Sequence, residues 1–243
     1  SLIARTFSGR EQIAAFSADQ IAALGTTQLS SLGTGAVGGL LTTQIASLTT
    51  TQLSALNATQ FAALSADQTS AFAASQILSL NATQLSRISS TSVAALGSTI
   101  LSALTTTQIK GLTGAQIGSL TTTDIQALST TQMAALSVGA LAGITSTQVA
   151  ALEVGDIAVL SNTGLAALSV SAIGGLNQDQ IGGLETTQLA AFTATQIAGI
   201  SATGMTAISG VRLAALSTTQ LGALTAAQVG ALAAADIAGL STT

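Results

Sequence analysis

Aliphatic side chains recur at two fixed places in a sequence of eight residues that repeats along almost the whole chain. The repeat runs from Gly9 to Leu240 without insertion or deletion, which gives 29 copies of the consensus S/T/N/G-T-T-Q-I/L-A-A-L. We call each copy an octad and number the copies from octad 1 (9–16) to octad 29 (233–240). Position eight is always Leu, Ile or Phe, and position five is aliphatic, Phe or Met in every octad except the one with Thr69.

The residue types at each position predict which positions are buried. Positions five and eight carry the apolar pair, so we expect both to lie in a core. Position seven is Ala, Gly or Ser nearly everywhere, which indicates contact with another segment of backbone. Positions two and three vary among Thr, Ala, Gly, Ser and Asp, as a solvated edge does.

A period of eight excludes one continuous α-helix and favours a short helix in each octad. At 100° per residue the apolar pair is displaced by about 80° per octad, so no single partner could cover it. Position one is mostly Ser, Thr, Asn or Gly, the preferred N-cap residues, and Gln follows three residues later to complete a capping box. Ser17 with Gln20 and Thr49 with Gln52 show the pattern. We therefore expect a helix of about one and a half turns per octad.

A β-solenoid with two octads per coil is the alternative fold, because Thr, Ile and Val are good strand formers. Apolar residues at positions five and eight do not alternate with the period of two that a strand requires, and the capping box favours helices. Helices shorter than ~12–15 residues are marginal alone, so the octads must stack. The prediction is an all-α solenoid over residues 9–243, preceded by an irregular segment at residues 1–8.

The composition argues against catalysis. The 243 residues include no His, Cys, Trp, Tyr or Pro, and only 6% are charged. The commonest general base and the commonest metal ligands are therefore missing, and no Ser has a His or Lys placed to activate it. We predict that the protein is not an enzyme, binds no cofactor, and has no catalytic, cofactor-binding or metal-binding residue.

The charges and the hydropathy pattern limit the partners. Five basic residues cannot supply the phosphate-neutralising patch that nucleic acid requires; they are Arg5, Arg10, Arg87, Lys110 and Arg212. The last three occupy different octad positions, so we expect solvated or edge-facing charges. Polar residues interrupt every octad, so no run of about 20 apolar residues could span a membrane. The expected partner is a second copy of the chain in a homopolymer, or the continuation of a longer chain.

Departures from the consensus are the remaining places for a site. Gly33, Gly35 and Gly38 form GxGxxG, but the strand and acidic residue of a dinucleotide fingerprint are missing, so we interpret a degenerate octad. Glu153 and Asp156 could chelate weakly, although capping explains both. The glutamines at position four could form an amide ladder, and capping is favoured there too. Adjacent octads lose this Gln together, at Ser92 with Ile100, Gly164 with Ala172, and Gly204 with Arg212. Such pairs mark either a bend or a contact with another chain.

The runs LTTTQLSAL (Leu48 to Leu56) and LSTTQLGAL (Leu216 to Leu224) resemble the low-complexity octapeptide tracts of very large proteobacterial surface proteins of the adhesin type. The resemblance covers nearly the whole chain. It implies an exported protein, extracellular or at the cell surface, whose repeats act as a filament or stalk, and it carries over no site residue. The alternative function is a binding surface for ice or carbohydrate formed by the Thr rows at positions two and three.

Overall fold

The computed structural model describes residues 9–238 and residue 240, and the regular elements in this part of the chain are all α-helices. The all-α prediction is confirmed, and the β-solenoid alternative is wrong for the described residues. The predicted irregular segment at 1–8 lies outside them, as do residues 239 and 241–243. Two compact units divide the chain, Ser1–Leu112 and Thr113–Thr243, so the boundary falls between octads 13 and 14. Each unit, taken by itself, is a solenoid of short helices.

Every octad contributes one helix, and each helix takes the number of its octad. The helices of unit 1 are α1 (Arg10–Ala14), α2 (Ala18–Ala22), α3 (Thr26–Ser30), α4 (Thr34–Val37), α5 (Thr42–Ser47), α6 (Thr50–Ser54), α7 (Ala58–Ala62), α8 (Ala66–Ser70), α9 (Ala74–Ser79), α10 (Ala82–Leu85), α11 (Ser90–Ala94), α12 (Gly97–Ala103) and α13 (Thr106–Lys110). The helices of unit 2 are α14 (Gly114–Gly118), α15 (Thr122–Gln126), α16 (Thr130–Ala135), α17 (Val138–Leu141), α18 (Ser146–Ala151), α19 (Val154–Ala158), α20 (Asn162–Ala167), α21 (Val170–Gly174), α22 (Gln178–Gly183), α23 (Thr186–Ala190), α24 (Ala194–Gly199), α25 (Ala202–Met205), α26 (Gly210–Ala214), α27 (Thr218–Gly222), α28 (Ala226–Ala231) and α29 (Ala234–Ala238).

The N-cap residue breaks the chain into separate helices. In octad 6 the N-cap Thr49 is extended, with φ −70° and ψ 157°, and Ala55 closes the helix at φ −76° and ψ −16°. The Thr49 hydroxyl accepts a hydrogen bond from the backbone N–H of Gln52 at 3.2 Å. The extended N-cap residue of such an octad therefore redirects the chain, and its side chain satisfies a donor at the start of the new helix.

Octad 12 begins its helix in a different way. Its position four is Ile100, which cannot cap. Its first residue, Gly97, has a φ of +73°, which is the one positive φ among the described residues. Helix α12 starts at Gly97 itself, directly after Leu96 in the right-handed helical region. A left-handed residue after a helix is a common C-terminal stop, and glycine adopts it without a Cβ penalty. Here a glycine stop replaces the capping box.

The chain in each unit completes one turn of the solenoid in between three and four octads. Helices three octads apart pack against each other, as α2 does with α5 and α19 with α22. Hydrogen bonds reach one octad further: the Gln44 side chain donates to the carbonyl of Phe16, 28 residues earlier. Stacking therefore supplies the partners that a helix of four to seven residues needs in order to be stable.

Positions five and eight form the cores, as the sequence predicts. Position five is buried in every octad from Ile13 to Leu213, and position eight is buried or half-buried in every described octad. Ile45 and Leu53, for example, expose none of their surface. Full burial of one such side chain contributes about 1.5–3 kcal/mol, and the gain recurs along the chain.

Position seven lies against position two of the octad three places earlier, which confirms the predicted backbone contact. A methyl group on Gly111 would lie 2.5 Å from the carbonyl oxygen of Ala82, and one on Gly199 would lie 2.6 Å from Cγ1 of Val170. Position two is exposed in most octads, as expected of a solvated edge, and it also takes part in the contact between turns. A larger residue such as Val170 fits where the facing residue is glycine.

Candidate functional site

The glutamine column is the set of position-four residues, of which 18 are Gln. In all 18 octads the backbone N–H of position one donates to the glutamine Oε1, at 2.7–3.2 Å. In octad 7 the return bond is also present, since the Gln60 N–H donates to Asn57 Oδ1 at 3.0 Å. The predicted capping box is confirmed, and it uses the oxygen of the amide.

The amide nitrogen makes a second contact that the capping argument does not include. Gln60 Nε2 donates to the carbonyl oxygens of Leu29 and Leu32, each at 2.9 Å, in the octad four places earlier. The same donation to the position-eight carbonyl, at 2.6–2.9 Å, is made by Gln44, Gln52, Gln60, Gln68, Gln76, Gln84, Gln108, Gln148, Gln180, Gln188, Gln196, Gln220 and Gln228. Each also donates to a position-five or position-six carbonyl at 2.7–3.3 Å.

These thirteen glutamines are 1–7% exposed, so the bonds are made away from water. A net contribution of about 0.5–1.5 kcal/mol per bond is typical, and a buried polar group without a partner costs about 1–3 kcal/mol. One amide thus caps its own helix and ties that helix to the preceding turn. One feature of the sequence indicates the donor role of the amide nitrogen. Capping needs only an acceptor, which Glu would supply equally well, yet position four is never Glu.

Arg212 occupies the glutamine column and takes over its donor role. Its Nη2 donates to the carbonyls of Ile181 at 2.6 Å and Leu184 at 2.9 Å, again four octads earlier. Burial lowers the pKa of Arg212, and the Glu185 carboxylate opposes that shift. Because a guanidinium has no acceptor, the cap of this octad is lost. Of the predicted solvated or edge-facing charges, Arg87 and Lys110 are exposed as expected, whereas Arg212 is half-buried and bonded to the preceding turn rather than solvated.

Asp156 shows the opposite half of the glutamine role. Its Oδ2 accepts the backbone N–H of Glu153 at 3.3 Å, which confirms the predicted capping for Asp156, whereas the side chain of Glu153 makes no capping hydrogen bond. Asp156 is only 6% exposed, and burial raises the pKa of its carboxyl; the Glu153 N–H opposes that shift and the Glu153 charge adds to it. An ionised carboxylate cannot donate to a carbonyl, so this position keeps the cap without the tie to the preceding turn.

Two departures from the consensus in unit 1 compensate each other. Thr69 stands at a core position, 2% exposed, and its hydroxyl lies 2.6 Å from the hydroxyl of Ser92, which replaces a glutamine. Ser92 Oγ also lies 2.8 Å from Ser89 Oγ and 3.2 Å from the carbonyl of Ala66. A polar residue in the core of octad 8 is thus satisfied by a polar residue of octad 11.

Two glycines of the column lie close to aliphatic side chains. A methyl group on Gly164 would lie 2.7 Å from Cδ1 of Leu141, and one on Gly204 would lie 3.1 Å from Cγ2 of Ile200. A side chain at either position would therefore require the neighbouring aliphatic side chain to shift. Whether these paired departures mark a bend or a contact with another chain stays open.

The other candidates from the sequence occupy ordinary places in the repeat. Gly33 is the N-cap of α4 and Gly38 its C-cap, and the preceding element is the helix α3, so the glycine motif is a variant octad. Within the described residues, no three His, Cys, Asp or Glu side chains are grouped so that they could hold a metal ion. Nor does this part of the chain contain a helix with the length and apolar character needed to cross a bilayer.

The repeated helices and the glutamine column together define a class, the all-α tandem-repeat solenoids. Residues 13–50 in unit 1 and 149–186 in unit 2 match the family described as the ALTTAQ repeat. No curated protein matches the chain. The family match covers two separate segments and supports the tandem-repeat organisation that the octads indicate.

Proposed function

We propose that this chain is a structural repeat protein that forms an extracellular filament or the stalk of a surface adhesin, by stacking and end-to-end association of octads. The observation that carries the proposal is the glutamine column. Its members use their amide groups for contacts within and between octads, and the same contact recurs each time an octad is added. An array of this kind grows without needing a new type of interface.

The charge distribution and the residue types also support a mechanical role. Nine acidic and five basic residues are spread along 243 residues, and the side chains of the usual acid–base set are limited to these carboxylates and the one amine of Lys110. The location at the cell surface follows from the resemblance to adhesin-type repeat tracts alone; the ALTTAQ repeat match supports the tandem repeats of the proposal.

Electron microscopy of the purified protein over a range of concentrations tests the filament. Fibres whose length grows with concentration are expected, and dispersed particles at every concentration would contradict the filament form. Antibody labelling of intact cells of the source organism tests the location. Labelling that requires permeabilised cells would contradict a surface stalk.

The alternative function is binding of ice or carbohydrate, and one observation favours it. Position-three threonines of consecutive octads, such as Thr43, Thr51 and Thr59, are exposed. Repeated hydroxyls can face a repeating ligand. Thermal hysteresis with ice shaping is expected if the ligand is ice, and retention on immobilised polysaccharide if it is carbohydrate. The absence of all three would exclude this alternative.

A further inference from the structure

Two asparagines of unit 1 stand at position one of their octads and are each followed two residues later by a threonine. They are Asn57 in octad 7 and Asn81 in octad 10, and each begins the sequence Asn-Ala-Thr-Gln. Asn-x-Ser/Thr, with any residue except Pro at x, is the acceptor sequence for sugars linked to asparagine. Both asparagines are exposed, and so are the threonines, Thr59 and Thr83. The acceptor sequence therefore lies on the surface at both places.

The capping bonds of these asparagines use the side-chain oxygen and leave the amide nitrogen available. Asn57 Oδ1 accepts from the backbone N–H groups of Thr59 and Gln60, each at 3.0 Å. Asn81 Oδ1 accepts from the N–H of Gln84 at 2.9 Å. Among the described residues, neither asparagine donates a hydrogen bond from Nδ2. An amide nitrogen carries two hydrogens, so a sugar can replace one of them while the capping oxygen stays in place.

The two acceptor sequences have the same local geometry and lie on successive turns of unit 1. Asn57 has φ −79° and ψ 169°, and Asn81 has φ −77° and ψ 167°. Helix α7 packs against α10, so the two asparagines occupy the same octad position in neighbouring turns. An enzyme that accepts one of these sites therefore meets the same backbone conformation and the same exposed side chains at the other.

We propose that Asn57 and Asn81 are acceptor sites for an asparagine-linked sugar. The co-substrate is a sugar whose C1 carries a phosphate or diphosphate leaving group, and a separate glycosyltransferase catalyses the transfer. Nδ2 forms a bond to C1 of the sugar, and the bond between C1 and the phosphate oxygen breaks. The phosphate leaves with the bonding electrons, and a base of the transferase takes one Nδ2 proton. The inference goes beyond the proposed filament or stalk, because it concerns the chemistry of two side chains and not the assembly of the chain.

The two other asparagines of the chain are natural controls, and both are exposed. Asn177 also caps its helix, since its Oδ1 accepts from the Gln180 N–H at 2.9 Å. Its second following residue is Asp179, however, and that of Asn162 is Gly164, so neither stands in an acceptor sequence. If exposure alone decided the reaction, all four asparagines would be modified. The acceptor sequence restricts the modification to the two in unit 1.

Enzymatic transfer to the folded full-length chain tests the proposal. The chain is incubated with UDP-glucose and a purified asparagine glucosyltransferase that acts on Asn-x-Ser/Thr, and a synthetic Asn-Ala-Thr-Gln peptide verifies that the enzyme is active. Intact-mass spectrometry should show a gain of two hexoses per chain. Trypsin cleaves after Arg10 and Arg87, so both acceptors lie in the peptide 11–87. Fragmentation of this peptide should place one hexose on Asn57 and one on Asn81.

Two double variants separate the acceptor sequence from the fold. Asn57→Ser with Asn81→Ser removes the acceptor nitrogens and keeps a preferred N-cap residue in each octad. Thr59→Ala with Thr83→Ala keeps both asparagines and their caps and removes only the exposed hydroxyl groups of the acceptor sequence. Each double variant should lose both hexoses. Far-UV circular dichroism should show the same helix content in both variants and in the glucosylated wild type, because the caps are retained in all three.

Three results would overturn the inference. The first is a folded chain that stays unmodified while the peptide is glucosylated, since the two sites are then not accessible acceptors. The second is equal modification of Asn177 or of the threonine variant, which would show that the acceptor sequence is not recognised. The third comes from the chain isolated from its source organism, in which peptide 11–87 should carry sugar and an unmodified peptide contradicts the proposal. None of these results bears on the filament or stalk, which electron microscopy and surface labelling test separately.

Discussion

Replacing Gln60 separates the two roles of the glutamine column. Gln60→Ala removes the acceptor for the Asn57 N–H and the donor for the carbonyls of Leu29 and Leu32. The Leu29 oxygen still accepts a hydrogen bond from the Leu32 N–H at 3.1 Å, so it loses one of its hydrogen bonds and keeps another. With about 1–3 kcal/mol for each buried group left unpaired, we expect a loss of about 3 kcal/mol.

Gln60→Glu keeps the size of the side chain and the capping acceptor but places a carboxylate against two carbonyl oxygens. Gln60 is 2% exposed, so the charge is also desolvated. We therefore expect Glu to destabilise octads 3 and 7 by at least about 1 kcal/mol more than Ala at pH 7. Burial raises the pKa of the new carboxyl in the folded chain, so this chain binds a proton more tightly than the unfolded chain does. The deficit should consequently grow as pH rises through the folded pKa and shrink towards pH 4.

The control is Gln20→Glu at the same octad position. Gln20 accepts from the Ser17 N–H at 2.9 Å, but it is exposed and has no carbonyl partner among the described residues. Its replacement should change the free energy of unfolding by less than about 0.5 kcal/mol. The chain has no Trp or Tyr, so urea unfolding is followed by far-UV circular dichroism, and amide hydrogen exchange reports the local loss in octads 3 and 7. Equal effects of the two Glu substitutions would refute the donor role of the column.

Three further substitutions test the departures from the consensus and the contact between turns. Asp156→Gln restores a donor and removes a buried carboxylate. Because the pKa of this carboxyl is raised in the folded chain, the stability of the wild-type chain falls as pH rises. Urea unfolding should therefore show that the variant has a free energy of unfolding about 1–3 kcal/mol higher at pH 7, and a smaller gain at pH 4. In a double-mutant cycle of Thr69→Val and Ser92→Ala, the double variant should be about 1 kcal/mol more stable than the two single losses predict, and strict additivity would contradict the pairing. Gly143→Ala should lower the melting temperature, because the added Cβ would meet the backbone of the preceding turn. Gly139→Ala is the control: the space around Gly139 is open, so this substitution should raise the melting temperature. The reverse order of the two melting temperatures would disprove the close contact.

Local structure follows from the sequence because its causes lie within one octad. The N-cap, the glutamine that caps it and the apolar pair are all within eight residues, so the spacing alone predicts where each helix begins and which side chains are buried. Thr49 and Gln52 cap each other, as predicted. Ile45 and Leu53 are fully buried, as predicted. No knowledge of the partner octad was needed for either result.

The identity of the partner octad is decided only by the tertiary structure. Gln60 reaches Leu32, 28 residues earlier, and Thr69 meets Ser92, 23 residues later. The octads that meet are set by the angle through which the chain turns over three to four octads. This angle is the sum of small differences in backbone conformation, so it cannot be predicted from the residue type at any one position. For the same reason the sequence predicts a solvated or edge-facing charge at Arg212, because its donors have partners only once the preceding turn lies beside them.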